Sequence, residues 1–249
     1  MKNILKIGAD PELFVFKNGE PISAHDLLPG TKASPFIVPG GAVQVDGTAA
    51  EFNIDPAETF NEFNDNIETV LGHLGSLLPS DCELRSSPCV VWAQEYFDKL
   101  PHLATELGCM PDFNAWTGRR NPKPRLKDMP TLRTAAGHIH IGFTQGASIQ
   151  DPMHIRECQR MAQLMDWHVG SWSCEVDLDK TRRMLYGKAG ACRYKTYGVE
   201  YRTLSNFWVL DEGLRREIWD RTMAACSDFF AGVSVPEEQQ EQIQLIINN

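Results

Sequence analysis

Four short stretches of this chain place oxygen or nitrogen ligands at alternate positions, the spacing that turns two side chains to one face of a β-strand. In Gly8-Ala9-Asp10-Pro11-Glu12-Leu13, Asp10 and Glu12 share a face and Leu13 and Val15 take the other. In Gln44 to Asn53, Glu51 and Asn53 share a face, with Asp46 just upstream. Gly137 to Gly142 carries His138 and His140 on one face and isoleucines on the other. Gly198 to Leu204 pairs Glu200 with Arg202, opposite Val199 and Tyr201. If these strands pave one sheet, their carboxylates converge, and two unit charges about 4 Å apart repel by about 4 kcal/mol at an effective dielectric near 20. Divalent cations relieve that repulsion. An oxygen-rich set with an imidazole suits Mg²⁺ or Mn²⁺, whereas the Cys and His spacing of a zinc site is absent.

The hydropathy pattern supplies elements to carry these residues. It predicts strands over 4–16 (interrupted at Pro11), 42–54 (one or two strands), 83–92, 135–144 and 199–207. Phe60, Phe63, Ile67, Val70, Leu74 and Leu77 recur at helical steps, with Asp55 as the expected N-cap and Pro56 in the first turn. Further helices are predicted to about Leu107, over Asp151 to Trp172, and around Leu214 to Phe229. Residues 110–134 read as a long irregular loop and 180–195 as a Gly- and Arg-rich connection. No repeat or linker stands out, so a single domain over 1–249 is expected, of α+β class, with 236–249 either a docked helix or frayed.

Composition narrows the function classes. A net charge of −9 argues against a nucleic-acid surface. The basic run from Arg119 to Arg133, with Lys123, Arg125 and Lys127, suits either a solvated loop or a cationic lip over an anionic ligand. Seven cysteines (82, 89, 109, 158, 174, 192 and 226) form no CxxC pair and fit reduced thiols. The first five residues are too short for a signal h-region, and no apolar run spans a bilayer, so cytoplasm is expected and no membrane partner. Gly187-Lys188-Ala189-Gly190 lacks P-loop spacing, and no GxSxG or HExxH is present.

Taken in order, GADPELF (8–14), VDGTAAEFN (45–53), CMPDFNAW (109–116), GHIHIG (137–142) and YGVEYRTLSNFW (197–208) resemble the phage-type carboxylate–amine ligases, or amidoligases. These belong to the superfamily of glutamine synthetase and glutamate–cysteine ligase, and the match runs over about four-fifths of the chain. The resemblance implies a curved, mainly antiparallel sheet forming a funnel, helices on its outer face, ATP at one end and the acyl acceptor at the other. It implies Asp10 and Glu12 on different metals, His138, Glu51 and Glu200 as metal ligands, and His140 nearer the nucleotide. Arg202 would meet the transferred phosphate, with Arg193 a second phosphate or oxyanion contact. Asp46, Asn53, Asp112, Asn114 and Arg133 are candidates for substrate recognition.

Relatives often have three consecutive acids where this chain has Asp10-Pro11-Glu12, which leaves the number of metals open. The implied reaction joins a small-molecule or peptide carboxylate to an amine at the expense of ATP, through an acyl phosphate. The implied location is the cytoplasm, the host's if the chain is phage-encoded. A phosphagen-type kinase or metal-dependent amide hydrolase on the same sheet, or a non-catalytic phage binding protein, are the alternatives. The oligomeric state, the substrates and the general base stay open.

Overall fold

The computed structural model describes residues 5–105, 112–124, 126 and 129–249. Cys109 to Pro111 of the CMPDFNAW motif, Arg125 and Lys127 of the basic run, the expected helix end at Leu107, and Met1 to Ile4 lie outside the described residues. Twelve described strands run in the order β1 (Lys6–Lys17), β2 (Glu20–Ile22), β3 (Phe36–Val38), β4 (Gly41–Asp46), β5 (Ala49–Ile54), β6 (Cys82–Arg85), β7 (Cys89–Val91), β8 (Phe113–Asn114), β9 (Leu132–Thr134), β10 (Gly137–Gly142), β11 (Ala191–Lys195) and β12 (Gly198–Tyr201). The helices are α1 (Phe60–Leu77), α2 (Gln94–Phe97), α3 (His102–Thr105), α4 (Pro152–Met165), α5 (Ser171–Val176), α6 (Thr181–Leu185), α7 (Glu212–Phe230) and α8 (Glu237–Asn248). A π-helical turn, Asp166–Gly170, joins α4 to α5.

One large sheet dominates, in the order β3-β4-β5-β1-β10-β12-β11-β8, with β2 and β6 also paired to β1. Every ladder in it is antiparallel. The class is therefore mixed α and β with a mainly antiparallel sheet. Strand β1 is its hub. Residues Lys6 to Pro11 pair with β10, and Glu12 and Leu13 pair with β5. Pro11 does not interrupt the strand as the sequence suggested. It stands where β1 passes from one partner to the other, a position at which a missing ladder N–H is tolerated.

The period-two alternation divides the sheet into two chemistries. Ile7, Ala9, Leu13, Val43, Phe52, Ile139, Ile141, Val199 and Tyr201 belong to one buried apolar cluster shared with α1, α4 and α7. Burying such side chains contributes about 1.5–3 kcal/mol each, so this face fixes the register. A one-residue slip would send the acids into the helices. Gly198 secures one ladder: at φ 148° a Cβ would fall 2.1 Å from the Ile141 carbonyl oxygen.

Several boundaries differ from expectation. Helix α1 is capped by Thr59, not Asp55. Its hydroxyl accepts from the Glu62 N–H while the Glu62 carboxylate accepts from the Thr59 N–H, a reciprocal capping box. Residues 42–54 form two strands joined at Gly47, which has φ 59°. The expected strand over 83–92 is broken by Pro88 into β6 and β7, and the expected loop and connection contain β8, β9, α6 and β11. The strand entering at Gly198 leaves the sheet after Tyr201, earlier than expected. The tail is helix α8, with Ile243 and Ile247 buried and the Asn248 amide oxygen accepting from the Ala189 N–H at 3.0 Å. Among the described residues, no helix is long and apolar enough to cross a membrane.

Candidate functional site

The face of the sheet away from α1, α4 and α7 gathers the ligands. Cross-strand pairing sets Asp10 opposite His138, Glu12 opposite Glu51, and His140 opposite Glu200, which in turn faces Arg193 on β11. Two groups result, in each of which the ligand atoms lie within 4.8 Å of one another: Asp10, His140 and Glu200, and Glu12, Asp46 and Glu51. Asp10 and Glu12, two apart on β1, thus fall in different groups. His140 joins the first triad rather than His138, the imidazole assigned to metal by the resemblance.

In the first group, Asp10 Oδ1 lies 3.1 Å from His140 Nε2 and 3.2 Å from His138 Nδ1. Burial opposes ionisation of Asp10, but the two imidazoles outweigh it and hold the carboxyl well below its usual range. Burial also opposes protonation of His140, and Asp10 reverses this to lift its pKa. The Tyr197 hydroxyl closes on His140 Nδ1. Glu200 is 1% exposed. Its Oε1 pairs with Arg202 Nη1 and its Oε2 lies 2.7 Å from Lys195 Nζ. Burial would raise the Glu200 pKa, yet Arg202 brings it down to about 2. His138 is pushed to about 4 by burial and by Arg202, whose Nη1 is 3.1 Å from its Nδ1.

The second group is acid against acid. Burial and the neighbouring Asp46 raise Glu12 to about 7, although Glu12 Oε2 accepts from the Ala136 N–H at 2.9 Å. Burial, Glu12 and Asp10 hold Glu51 well above its ordinary value. Glu51 Oε2 is buried without a hydrogen-bond partner. Lys32 Nζ reaches Asp46 Oδ2 at 2.5 Å, partial compensation for three carboxylates. An orphaned carboxylate oxygen in an all-oxygen cluster fits a hard divalent cation, and the first triad offers two carboxylates and an imidazole.

Cationic groups flank the acids. Arg202 Nε lies 2.7 Å and Arg193 Nε 3.5 Å from Asp112 Oδ1. A cavity of about 580 Å³, lined by Lys6, Gly8, Asp10, Glu51, Asn53, His140 and Tyr197 among others, opens on one side of the acidic floor. A smaller one of about 70 Å³, lined by Glu12, Asp46, Asp112, Arg133, His138, Arg182 and Arg202 among others, opens on the other. Asp10 and Glu12 therefore face different cavities from one strand.

Two expected recognition residues are committed to structure. Asn114 accepts from the Trp116 and Thr117 N–H groups and donates to the Ala189 carbonyl, holding a turn. Arg133 lines the smaller cavity, but its guanidinium donates to the carbonyls of Pro130, Leu132 and Thr105 and stacks over Phe97. Conversely, Lys195, Tyr197, Lys32 and Arg182 reach the site without having been singled out. Lys195 had a signal, being two residues from Arg193 on one strand face. Arg182 had none, because α6 is one short turn whose direction only the tertiary packing decides. Asp166 was also missed. Wholly buried in the π-helical turn, it accepts from Tyr201 Oη at 2.7 Å and Trp116 Nε1 at 2.6 Å, tying the strand of Glu200 to the segment that follows Asp112.

No protein-family model matches this chain, and no curated protein matches it. Among solved structures it is similar to a bifunctional glutathione synthetase from Pasteurella multocida, at 9% identity and a TM-score of 0.54. The alignment covers 99% of this chain and 40% of that one, so the chain spans well under half the length of that protein. At this identity the likeness is one of fold.

Proposed function

We propose that this chain is a Mg²⁺- and ATP-dependent carboxylate–amine ligase of the glutamine-synthetase-like kind, forming an amide through an acyl phosphate. One observation carries the reading: two carboxylate-rich groups lie side by side on one sheet, next to two cavities of unequal size, with the buried Arg202 lining the smaller cavity and paired to Glu200 of the first group. The fold likeness to a glutathione synthetase is consistent with it. The antiparallel sheet would serve as the curved funnel that the resemblance implies.

The larger cavity is the place for the nucleotide, and the smaller, with Arg182 and Arg202, for the carboxylate to be activated. Bound at Asp10, His140 and Glu200 and at Glu12, Asp46 and Glu51, divalent cations would neutralise phosphate charge and supply Lewis acidity. His138, 3.2 Å from Asp10 and 3.1 Å from Arg202, would act from beside that set. Arg202 is held by Asp112 and Glu200 on the wall of the smaller cavity, where a guanidinium can meet the phosphoryl group on its acceptor. Arg193 shares the Asp112 anchor and is the second cation for the tetrahedral oxyanion of amide formation. Because the scaffold is antiparallel sheet, these groups are positioned before substrate arrives.

The substrates are a carboxylate and an amine, small-molecule or peptide, and the ATP requirement suits the cytoplasm. With ATP, Mg²⁺, an acid panel and hydroxylamine as a general amine, the protein should release ADP and phosphate and form a hydroxamate only when all are present. A stable phosphorylated product would instead identify a kinase, and amide cleavage without ATP a hydrolase.

A further inference from the structure

A third cavity, of about 220 Å³, continues outward from the smaller catalytic one. The two share Asp112 and Tyr186 in their linings. The outer cavity is walled by Asn121, Pro122, Met184 and Leu185, and two lysines, Lys123 and Lys188, face it. We propose that the substrate in the smaller cavity is an extended acidic peptide rather than a single amino acid, and that a carboxylate along it sits between Lys123 and Lys188. This deepens the ligase reading and rests on it for the meaning of the inner cavity.

Charge pairing supports the assignment. In a chain of net charge −9, surface cations have abundant partners. Lys17 pairs with Asp81, Arg85 with Glu83 and Arg221 with Glu217. Among the described residues, neither Lys123 nor Lys188 has a carboxylate partner. Lys188 is half-buried, and desolvation alone lowers its pKa. An ammonium group partly removed from water with no counterion costs stability, a cost that a bound anion relieves.

The position is also prepared in advance. The Lys188 carbonyl accepts from Thr203 Oγ1 at 3.1 Å and from the Ala191 N–H at 3.0 Å, and the Ala189 N–H is held by Asn248. A backbone fixed at these points spends little entropy on holding a ligand. The apolar walls suit the hydrocarbon part of a peptide, and the cationic pair suits its acid group. The inner cavity, at about 70 Å³ against about 220 Å³ outside, takes one reacting group while the outer takes what is attached to it.

The test uses the intact protein and two probe peptides, acetyl-Asp-Ala-Ala and its counterpart acetyl-Asn-Ala-Ala, which share the terminal carboxylate and differ only in the acid side chain, titrated calorimetrically with Mg²⁺ present. The wild type should bind the acidic peptide roughly tenfold more tightly or better, with an advantage that shrinks as salt rises. Lys123→Ala/Lys188→Ala should abolish that preference while leaving the affinity for Mg²⁺ and a non-hydrolysable ATP analogue unchanged. Lys188→Glu should turn the preference against the acidic peptide. Equal binding of both peptides by the wild type, binding of neither, or a preference that survives the double variant would overturn the proposal. Failure to form hydroxamate from any acid would count against the ligase reading and leave the peptide preference standing as a separate result.

Discussion

Replacing Glu51 with glutamine isolates the electrostatics of the second acidic group. Glu12, Asp46 and Glu51 keep their ligand atoms within 4.8 Å of one another, and Glu51 Oε2 has no hydrogen-bond partner. At an effective dielectric near 20, two unit charges at that separation repel by about 3 kcal/mol. The protein bears this either as repulsion or as a proton retained above its ordinary pKa, whichever costs less. The sign follows from the raised carboxyls. Below about pH 4.5 both folded and unfolded states hold the proton and there is no penalty. As pH rises the unfolded chain releases it first, so stability falls until the folded value, about 7 for Glu12, is passed. Urea unfolding in EDTA at pH 8 should therefore show Glu51→Gln more stable than wild type by about 2–3 kcal/mol, with the difference vanishing near pH 4.5. Mg²⁺ should erase most of that difference, because saturation to about 100 times its Kd adds about 2.7 kcal/mol to the wild type and less to the variant. A variant that is less stable in EDTA at pH 8, or that gains as much from Mg²⁺ as wild type does, would refute a cation site at Glu51.

Other consequences follow from the same geometry. Mn²⁺ affinity, followed by electron paramagnetic resonance, should weaken as pH falls below about 7, where Glu12 takes up a proton that competes with the metal. Arg202→Lys, which keeps a charge but loses the fork between Asp112 and Glu200, should lower kcat for hydroxamate formation by roughly 10²–10³ with a smaller change in KM. Arg202→Ala should in addition destabilise the fold by about 1–3 kcal/mol in urea, since two buried carboxylates lose their closest partner and keep only Lys195 and Arg193. Gly198→Ala should lower the melting temperature, because its Cβ meets the Ile141 carbonyl.

What could be read from the chain was what period two encodes. Asp10 with Glu12, His138 with His140 and Glu200 with Arg202 announced a polar face because each is interleaved with residues that the core requires. Alternation says which face a side chain takes but not which neighbour it meets, so it could not tell His138, which meets both Asp10 and Arg202, from His140, which meets Asp10 and Tyr197. Nor could it see that Arg133 and Asn114 are already committed to backbone groups, since that depends on loops folding back. The α1 cap was misplaced for a local reason: Asp55 and Thr59 are both plausible caps, and the reciprocal bond with Glu62 decides between them. Asp166 is legible only once the π-helical turn that aims it is in place.

The division of labour across the two sides of the sheet has an engineering consequence. Positions such as Ile7, Ile139, Ile141 and Val199 touch helices and never the cavities, so they form a reservoir of substitutions that should be largely invisible to the chemistry. A library varying those four among aliphatic residues of similar volume should spread widely in thermal tolerance while the preference between Mg²⁺ and Ca²⁺ stays constant. Selection for heat resistance and selection for a new substrate could then proceed on opposite surfaces of the same strands, with little interference between them.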